Sequence, residues 1–248
     1  MSGTTGPSSK RKGKKKRKRK LRLPAWANPA VTALVEGAVS ASALAGLDRS
    51  SAFAGRLGGA FGRMPFNRKR FRRAMEHIAE VFPAMPDRER AELALQAYRH
   101  LFRLAIELTV FPRVNHDTFW HHIELGDVER MLFWLRHQEP TILITSHAGN
   151  WELLGHALCL IGAPIHAVYR PLDNPSLDEW VRETRARSGL TLVDKFGAST
   201  EVPRLLHAGL PVGFIADQNA GDNGLFVPFF GRMTSTYKSI GVLAIAHR

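Results

Sequence analysis

Apolar and polar positions divide the chain into three stretches. Residues 26–47 are rich in Ala, Val and Leu, residues 67–108 repeat apolar positions every three or four residues, and residues beyond 140 alternate short apolar runs with amphipathic ones. Spacing of three or four predicts helices, and short apolar runs between amphipathic stretches predict parallel strands with covering helices. We therefore expect an α/β fold: a mostly parallel sheet with helices on both faces, preceded by an N-terminal helical region.

The alternation beyond residue 140 predicts four strands and four helices. The strands are expected at 141–146, 166–169, 190–193 and 212–216, and the helices at 151–161, 174–188, 200–208 and 238–246. Parallel sheets place their sites outside the carboxyl ends of the strands. The polar residues that follow the four strands are His147, Arg170, Lys195 and Asp217 with Gln218. We expect these residues to lie along one edge of the sheet.

The region before this alternation is predicted to be helical. Helices are expected at 67–82, ended by Pro83, and at 87–108, whereas the glycine-rich run 55–64 is expected to be a loop or a frayed helix. A short strand at 120–124 and a helix at 128–137 follow. The predicted core face of the second helix comprises Leu93, Leu95, Tyr98, Leu101, Phe102, Ala105 and Leu108.

The high positive charge of the chain is concentrated near its N-terminus. The net charge is +13 from 35 basic and 22 acidic residues, and eleven of the basic residues lie between Lys10 and Arg22. Without them the charge is 24 minus 22, or +2, so we expect no nucleic-acid binding by the body. Residues 1–24 are predicted to form a disordered basic arm, attracted to an anionic membrane surface in preference to nucleic acid.

The apolar stretch that follows the arm predicts a membrane-associated helix over residues 25–48. It contains Glu36 and many small residues, which favours an interfacial helix over a full span. A helix packed on the body and a secretory signal are the alternatives. Residues 49–248 are then the main domain. Its single cysteine, Cys159, lies in an apolar run and predicts buried packing, and we expect neither a metal site nor a nucleotide-binding glycine loop.

The sequence TILITSHAGNWELL, residues 141–154, is the strongest candidate for a reactive site. His147 and Glu152 are five residues apart, so on one regular helix their side chains would lie roughly 140° apart. They converge only if His147 lies in the loop before the helix and Glu152 in its first turn. We predict this arrangement, with the two side chains within hydrogen-bonding reach. A second match of the same spacing, His122 and Asp127, follows no apolar strand.

Three motifs in order resemble the late acyltransferases of lipid A biosynthesis, the lauroyl/myristoyl acyltransferase family, with mannolipid acyltransferases as relatives. They are HAGNWE at 147–152, VYRPLDNPSLDEW at 168–180 and IADQNAGDNGLFVPFFG at 215–231, and the helical lead-in at 72–90 is also similar. The resemblance implies a glycerolipid-acyltransferase-like fold and a catalytic His147–Glu152 pair. It also makes Arg170 and Asp217 site residues. The family normally continues with a further strand and helix, so we expect the chain to be truncated or to lack them.

The chemistry of acyl transfer agrees with these residues. Transfer from a thioester to a hydroxyl requires a base near neutral pH, and the ordinary pKa of histidine is about 6.5. His147 would deprotonate the acceptor hydroxyl and Glu152 would orient its ring. Ser146 points to the opposite side and no Gly-x-Ser-x-Gly elbow is present, so we expect no covalent serine intermediate.

The remaining site residues each have two open roles. Asn150 and the Gly149 backbone either cap the helix or donate to the tetrahedral oxyanion. Arg170 either binds a phosphate or forms a surface ion pair with Asp173. Asp217 either pairs with Arg170 or helps to position the base. Weaker candidates are Asn174, Arg232 and Lys238, and we expect Phe226, Phe229 and Phe230 to pack in the core or in a lipid groove.

The resemblance implies a membrane-associated enzyme at the cytoplasmic face of the bacterial inner membrane. It would need no cofactor, take acyl-acyl carrier protein as co-substrate and acylate a lipid A precursor or a related glycolipid. Because acyl carrier protein is acidic, exposed basic residues are expected to bind it: Arg182, Arg185, Arg187 and Lys195. The alternatives are a phosphoglycolipid or phospholipid acyltransferase, and a non-catalytic truncated homologue that acts through its basic arm.

Overall fold

A computed structural model describes residues 44–109, 114–126 and 139–247, together with residues 33, 37, 38, 40–42, 129, 133 and 137. The helices are α1 (Leu47–Arg63), α2 (Arg68–Val81), α3 (Asp87–Leu108), α4 (Phe119–His122), α5 (Trp151–Leu160), α6 (Pro175–Ala186), α7 (Ala198–His207) and α8 (Lys238–Ala246), with a 3₁₀ turn at Pro65–Asn67. The strands are β1 (Ile142–Thr145), β2 (His166–Tyr169), β3 (Thr191–Asp194), β4 (Val212–Ile215), β5 (Leu225–Phe229) and β6 (Arg232–Thr236). Across these ranges, every helix is too short or too polar to span a bilayer.

The central sheet has four parallel strands in the order β1-β4-β2-β3. Helices α5, α6 and α7 follow successive strands, as the short apolar runs and amphipathic stretches predict, and the predicted α/β class with an N-terminal helical region is confirmed. The order is not sequential, because β4 pairs with β1 on one side and with β2 on the other. The carboxyl ends of β1 and β4 are therefore neighbours.

Two apolar clusters hold the helices onto the sheet. One contains Val193, Val202, Leu205, Leu206 and Val212, and the other contains Ala163, Ile165 and Leu190. Cys159 packs against the second cluster and is half-buried. Burial raises the pKa of its thiol above the ordinary value, a backbone hydrogen bond from Ile165 opposing part of the effect. A raised pKa disfavours the reactive thiolate and suits packing.

The glycine-rich run that we expected to be a loop or a frayed helix is part of the regular helix α1. Its glycines face α3 at very close range: a Cβ at Gly58 would lie 2.5 Å from the carbonyl oxygen of Tyr98, and one at Gly62 would lie 3.0 Å from Leu95. The conformational cost of glycine in a helix is therefore offset by backbone-to-backbone packing that no larger residue permits. Helix propensity, which is a local property of the sequence, could not show that α3 packs against these glycines.

Three other predictions for the helical region and its surroundings were wrong in whole or in part. The strand expected at 120–124 is instead the short helix α4. Of the expected core face of α3, Leu95 is buried but Leu93 and Leu101 are exposed, and two residues outside that face, Ala94 and Leu104, are buried. The phenylalanines expected in the core or in a lipid groove lie on the unpredicted β5–β6 hairpin, and all are more than half exposed, so the core alternative is wrong and the groove stays a prediction. Those phenylalanines are Phe226, Phe229 and Phe230.

Several predictions concern residues outside those that the structure describes. The basic arm 1–24 lies wholly outside them, and so do most residues of the apolar stretch 25–48. Of the helix predicted at 128–137, only Glu129, Phe133 and His137 are described. The domain boundaries at 24 and 48 therefore stay predictions.

Candidate active site

The candidate site lies where β1 and β4 end. In their parallel register Thr145 is opposite Ile215, and the amide of Ala216 donates to the carbonyl of Thr145 at 2.9 Å. Two residues beyond this pair, the chain presents His147 on one side and Asp217 on the other. The strand order thus brings together two residues that are seventy positions apart in sequence.

Asp217 holds His147 through two hydrogen bonds. The ring Nδ1–H donates to Oδ1 at 2.7 Å, and the backbone N–H of His147 donates to Oδ2 at 2.8 Å. Partial burial acts to raise the pKa of Asp217, but the hydrogen bonds from His147 outweigh it and keep that pKa below its ordinary value. Asp217 is therefore a carboxylate at neutral pH, and it fixes the ring as the tautomer that carries its proton on Nδ1.

The other ring nitrogen of His147, Nε2, faces outward. Among the residues that the structure describes, its one hydrogen-bond partner is the side-chain amide of Gln218, at 3.4 Å. The indole of Trp151 packs edge-on against the ring, with 4.9 Å between the centroids. The His147 side chain is about one-third exposed, at 34%. With Nδ1–H bound to a carboxylate, Nε2 carries a lone pair that a substrate proton can reach. This is the arrangement of a general base with its orienting acid.

The predicted hydrogen bond between His147 and Glu152 is wrong. Glu152 lies in the first turn of α5 as expected, but its carboxylate binds Arg185 of α6, accepting from Nε at 2.8 Å and from a terminal nitrogen at 2.5 Å. The indole N–H of Trp151 also donates to it at 3.1 Å. The Glu152 side chain is 10% exposed and that of Arg185 is 20% exposed. Glu152 thus forms a mostly buried, bidentate ion pair that joins two helices.

The Gly149–Asn150 turn caps α5. Gly149 has φ of +62°, which favours glycine, and Asn150 accepts a hydrogen bond from the backbone N–H of Leu153 at 2.9 Å. Both residues also contact α3: the carbonyl of Gly149 accepts from His100 Nε2 at 2.8 Å, and Asn150 Nδ2 donates to Glu107 at 2.7 Å. Of the two roles left open for Asn150, the structure shows the cap.

Comparison with known proteins identifies the family of the chain. The sequence model of a family described as bacterial lipid A biosynthesis acyltransferase matches residues 15–248. The chain belongs to this family. It is also similar to a lipid A biosynthesis acyltransferase of Haemophilus influenzae, with 26% identity over 179 residues, which are 70% of this chain and 55% of that protein. The chain thus spans about half the length of the curated relative that it matches.

The remaining predicted residues of this family member are spread along the same edge of the sheet. Arg170, after β2, lies 3.9 Å from Asp173 in an exposed ion pair, and both oxygens of Asp217 are bound to His147. Asn174 caps α6 by accepting from the N–H of Leu177 at 3.1 Å. The predicted pairing of Asp217 with Arg170 is therefore absent, whereas its predicted contact with the base is present.

Two basic residues that we singled out have partners elsewhere. Arg232 forms an ion pair with Glu80 at the end of α2. Arg185, predicted to bind acyl carrier protein, is instead committed to Glu152. The other members of that basic group remain exposed: Arg182, Arg187 and Lys195.

The sequence reasoning did not single out two residues of α3, His100 and Glu107. A signal for them existed, because polar residues seven positions apart lie on one face of a helix. Both interrupt the apolar pattern of HLFRLAIEL. The partner of that face is not visible in the sequence, so this signal predicts a polar contact without its location.

Proposed function

We propose that this family member is part of an acyltransferase that moves a fatty acyl group from a thioester donor to a hydroxyl of a lipid A precursor. The observation that carries the proposal is the hydrogen bond from His147 Nδ1 to Asp217 at the carboxyl end of a parallel sheet. It leaves Nε2 with only a long contact among the described residues, to the amide of Gln218 at 3.4 Å. Each of the three motifs that resemble the family begins at the carboxyl end of a strand of this sheet. No other pair of a histidine and an acid in the described residues combines these features.

In the proposed reaction, His147 Nε2 accepts the proton of the acceptor hydroxyl as its oxygen attacks the thioester carbonyl. A tetrahedral intermediate forms and collapses, the carbon–sulfur bond breaks and an ester remains. The imidazolium returns its proton to the departing thiolate, so the products are an ester and a thiol. Asp217 stabilises the imidazolium and keeps the ring in place, the role that an aspartate plays beside a catalytic histidine.

Glu152 acts in this scheme through Arg185, not through the base. Its carboxylate joins the first turn of α5 to α6, and α5 begins four residues after His147. A bidentate Arg–carboxylate pair is geometrically specific, so it suits the fixing of two helices. The family motif His-x4-Glu then contains a base and a structural acid. The orienting acid lies in the later Ala-Asp-Gln segment, at Asp217.

The donor, the acceptor and the location are further parts of the proposal. Acyl-acyl carrier protein is the proposed donor, and Arg182, Arg187 and Lys195 are exposed basic groups that suit an acidic partner. Arg170 is the proposed contact for a phosphate of the acceptor or of the donor's phosphopantetheine. The basic arm between Lys10 and Arg22 supports association with the anionic cytoplasmic face of the inner membrane.

The deciding experiment measures acyl transfer by the purified chain from acyl-acyl carrier protein to a lipid A precursor. We expect His147→Ala to abolish turnover, while the matched control His122→Ala, which changes an exposed histidine after no strand, retains it. In parallel, lipid A from cells lacking the protein is profiled by mass spectrometry. Unchanged turnover in His147→Ala would refute the base, and intact lipid A would refute the acceptor.

A further inference from the structure

Helix α3 contacts the loop of the proposed base at two points that are seven residues apart. His100 Nε2 donates to the carbonyl oxygen of Gly149 at 2.8 Å, and Glu107 accepts from Asn150 Nδ2 at 2.7 Å. Seven residues advance a helix by about 700°, within about 20° of two full turns, and by about 10 Å. One face of α3 therefore supplies a donor and an acceptor to two consecutive residues of this loop.

Both polar atoms of the Asn150 side chain form hydrogen bonds. Its Oδ1 accepts from the N–H of Leu153 and caps α5, while its Nδ2 donates to Glu107. The loop from His147 to Asn150 is thus held on one side by Asp217 of the β4 end and on the other by α3. The bond to Glu107 is partly buried, whereas the bond from His100 is exposed to solvent.

We propose that Glu107 is a positioning residue for acyl transfer. Together with His100 it holds the Gly149–Asn150 turn so that His147 Nε2 faces the substrate. This inference rests on the proposed function. The reason for a catalytic effect is geometric: a displacement of about 1 Å in a reacting group can lower a rate by about a hundredfold without changing substrate affinity.

Exchanging the acid at position 107 and the amide at position 150 tests this proposal. Asn150→Asp preserves the helix cap, because aspartate caps as well as asparagine, but it removes the donor and sets two carboxylates against each other. Glu107→Gln keeps an oxygen acceptor for Asn150. In the double variant Glu107→Gln/Asn150→Asp, donor and acceptor are reversed and the hydrogen bond returns. The helix cap is the same in the single and the double variant.

We expect Asn150→Asp and Glu107→Leu to lower kcat by about 10- to 100-fold with KM for donor and acceptor within about threefold. The kcat of the double variant should recover to within about fivefold of the wild-type value. The kcat of Glu107→Gln should fall only slightly. The matched control Glu89→Leu makes the same substitution at an exposed position in the first turn of the same helix. It should leave kcat unchanged.

NMR signals of the His147 ring nitrogens give a second measurement that needs no substrate. They should shift or broaden in Asn150→Asp and return toward wild type in the double variant. A folded double variant that recovers neither kcat nor these signals would overturn the positioning role, as would an unchanged kcat in a folded Glu107→Leu. If the wild type transfers no acyl group while the ring signals still follow the exchange, the proposed function fails and the positioning role stands.

Discussion

Two carboxylates lie near the proposed base, one in sequence and one in space, and they have different partners. Glu152 is five residues from His147 in sequence, is 10% exposed and binds Arg185. Asp217 is seventy residues away, is 36% exposed and binds the His147 ring and backbone. The acid that is near in sequence joins two helices, and the acid that is distant in sequence holds the ring of the proposed base.

The register of β1 against β4 explains this difference. Thr145 pairs with Ile215, so the residues two positions later lie across from each other and their side chains meet. Glu152 lies in a helix whose first turn directs it toward α6. In a parallel sheet, neighbouring strand ends decide which groups converge, and closeness in sequence does not.

Loss of the orienting acid should have the largest effect on catalysis. Asp217→Asn preserves size and polarity but can present its amide to Nδ1, which stabilises the wrong ring tautomer. We expect kcat to fall by about 10³- to 10⁴-fold, as for the aspartate of a Ser-His-Asp triad. Single-turnover acyl transfer measures this directly. The matched variant Glu152→Gln should lower kcat much less. If Asp217→Asn lowers kcat less than Glu152→Gln does, the roles of the two acids would be the reverse of those proposed.

Substitution of Glu152, the acid that is near His147 in sequence, should mainly lower the stability of the fold. Removing one partner of a mostly buried ion pair leaves an uncompensated charge, so Glu152→Leu or Arg185→Leu should lower the free energy of unfolding by about 2–4 kcal/mol. In Glu152→Leu/Arg185→Leu both charges are gone, and much of this loss should be recovered. Urea denaturation of the wild type and the three variants gives the coupling free energy between Glu152 and Arg185.

The double variant also separates a structural role of Glu152 from a chemical one. If Glu152 acts only through Arg185, the folded double variant should keep kcat within about tenfold of the wild type. A well-folded double variant with a kcat reduced a thousandfold would show that the carboxylate itself takes part in the reaction. That result would restore Glu152 as a partner of His147 in some state of the catalytic cycle.

Sequence reasoning predicted what depends on local pattern and missed what depends on partners. The strand at His166–Tyr169 and the helix at Lys238–Ala246 appear with the predicted bounds, because apolar period and flanking residues determine them. The helical state of the glycine-rich run depends on contact with α3, and the pairing of His147 with Asp217 depends on the order of the strands. Neither partner is encoded in local spacing.

The smallest expected effect is the dependence of stability on pH that comes from Asp217. Its pKa is lower in the folded protein than the ordinary value of about 3.9, so the carboxylate stabilises the fold above that value. This contribution is lost as pH falls through the lower, folded pKa. The difference in unfolding free energy between wild type and Asp217→Asn should therefore shrink as pH falls below about 4.

The size of this difference should stay below about 1 kcal/mol, because solvent screens a group that is one-third exposed. Urea unfolding of the wild type and of Asp217→Asn at a series of pH values from about 3 to 7 measures this difference. A difference that grows as pH falls below about 4 would mean that the folded protein raises this pKa. In that case Asp217 would not be held as a carboxylate by His147, and the distinction between the two acids would lose its electrostatic basis.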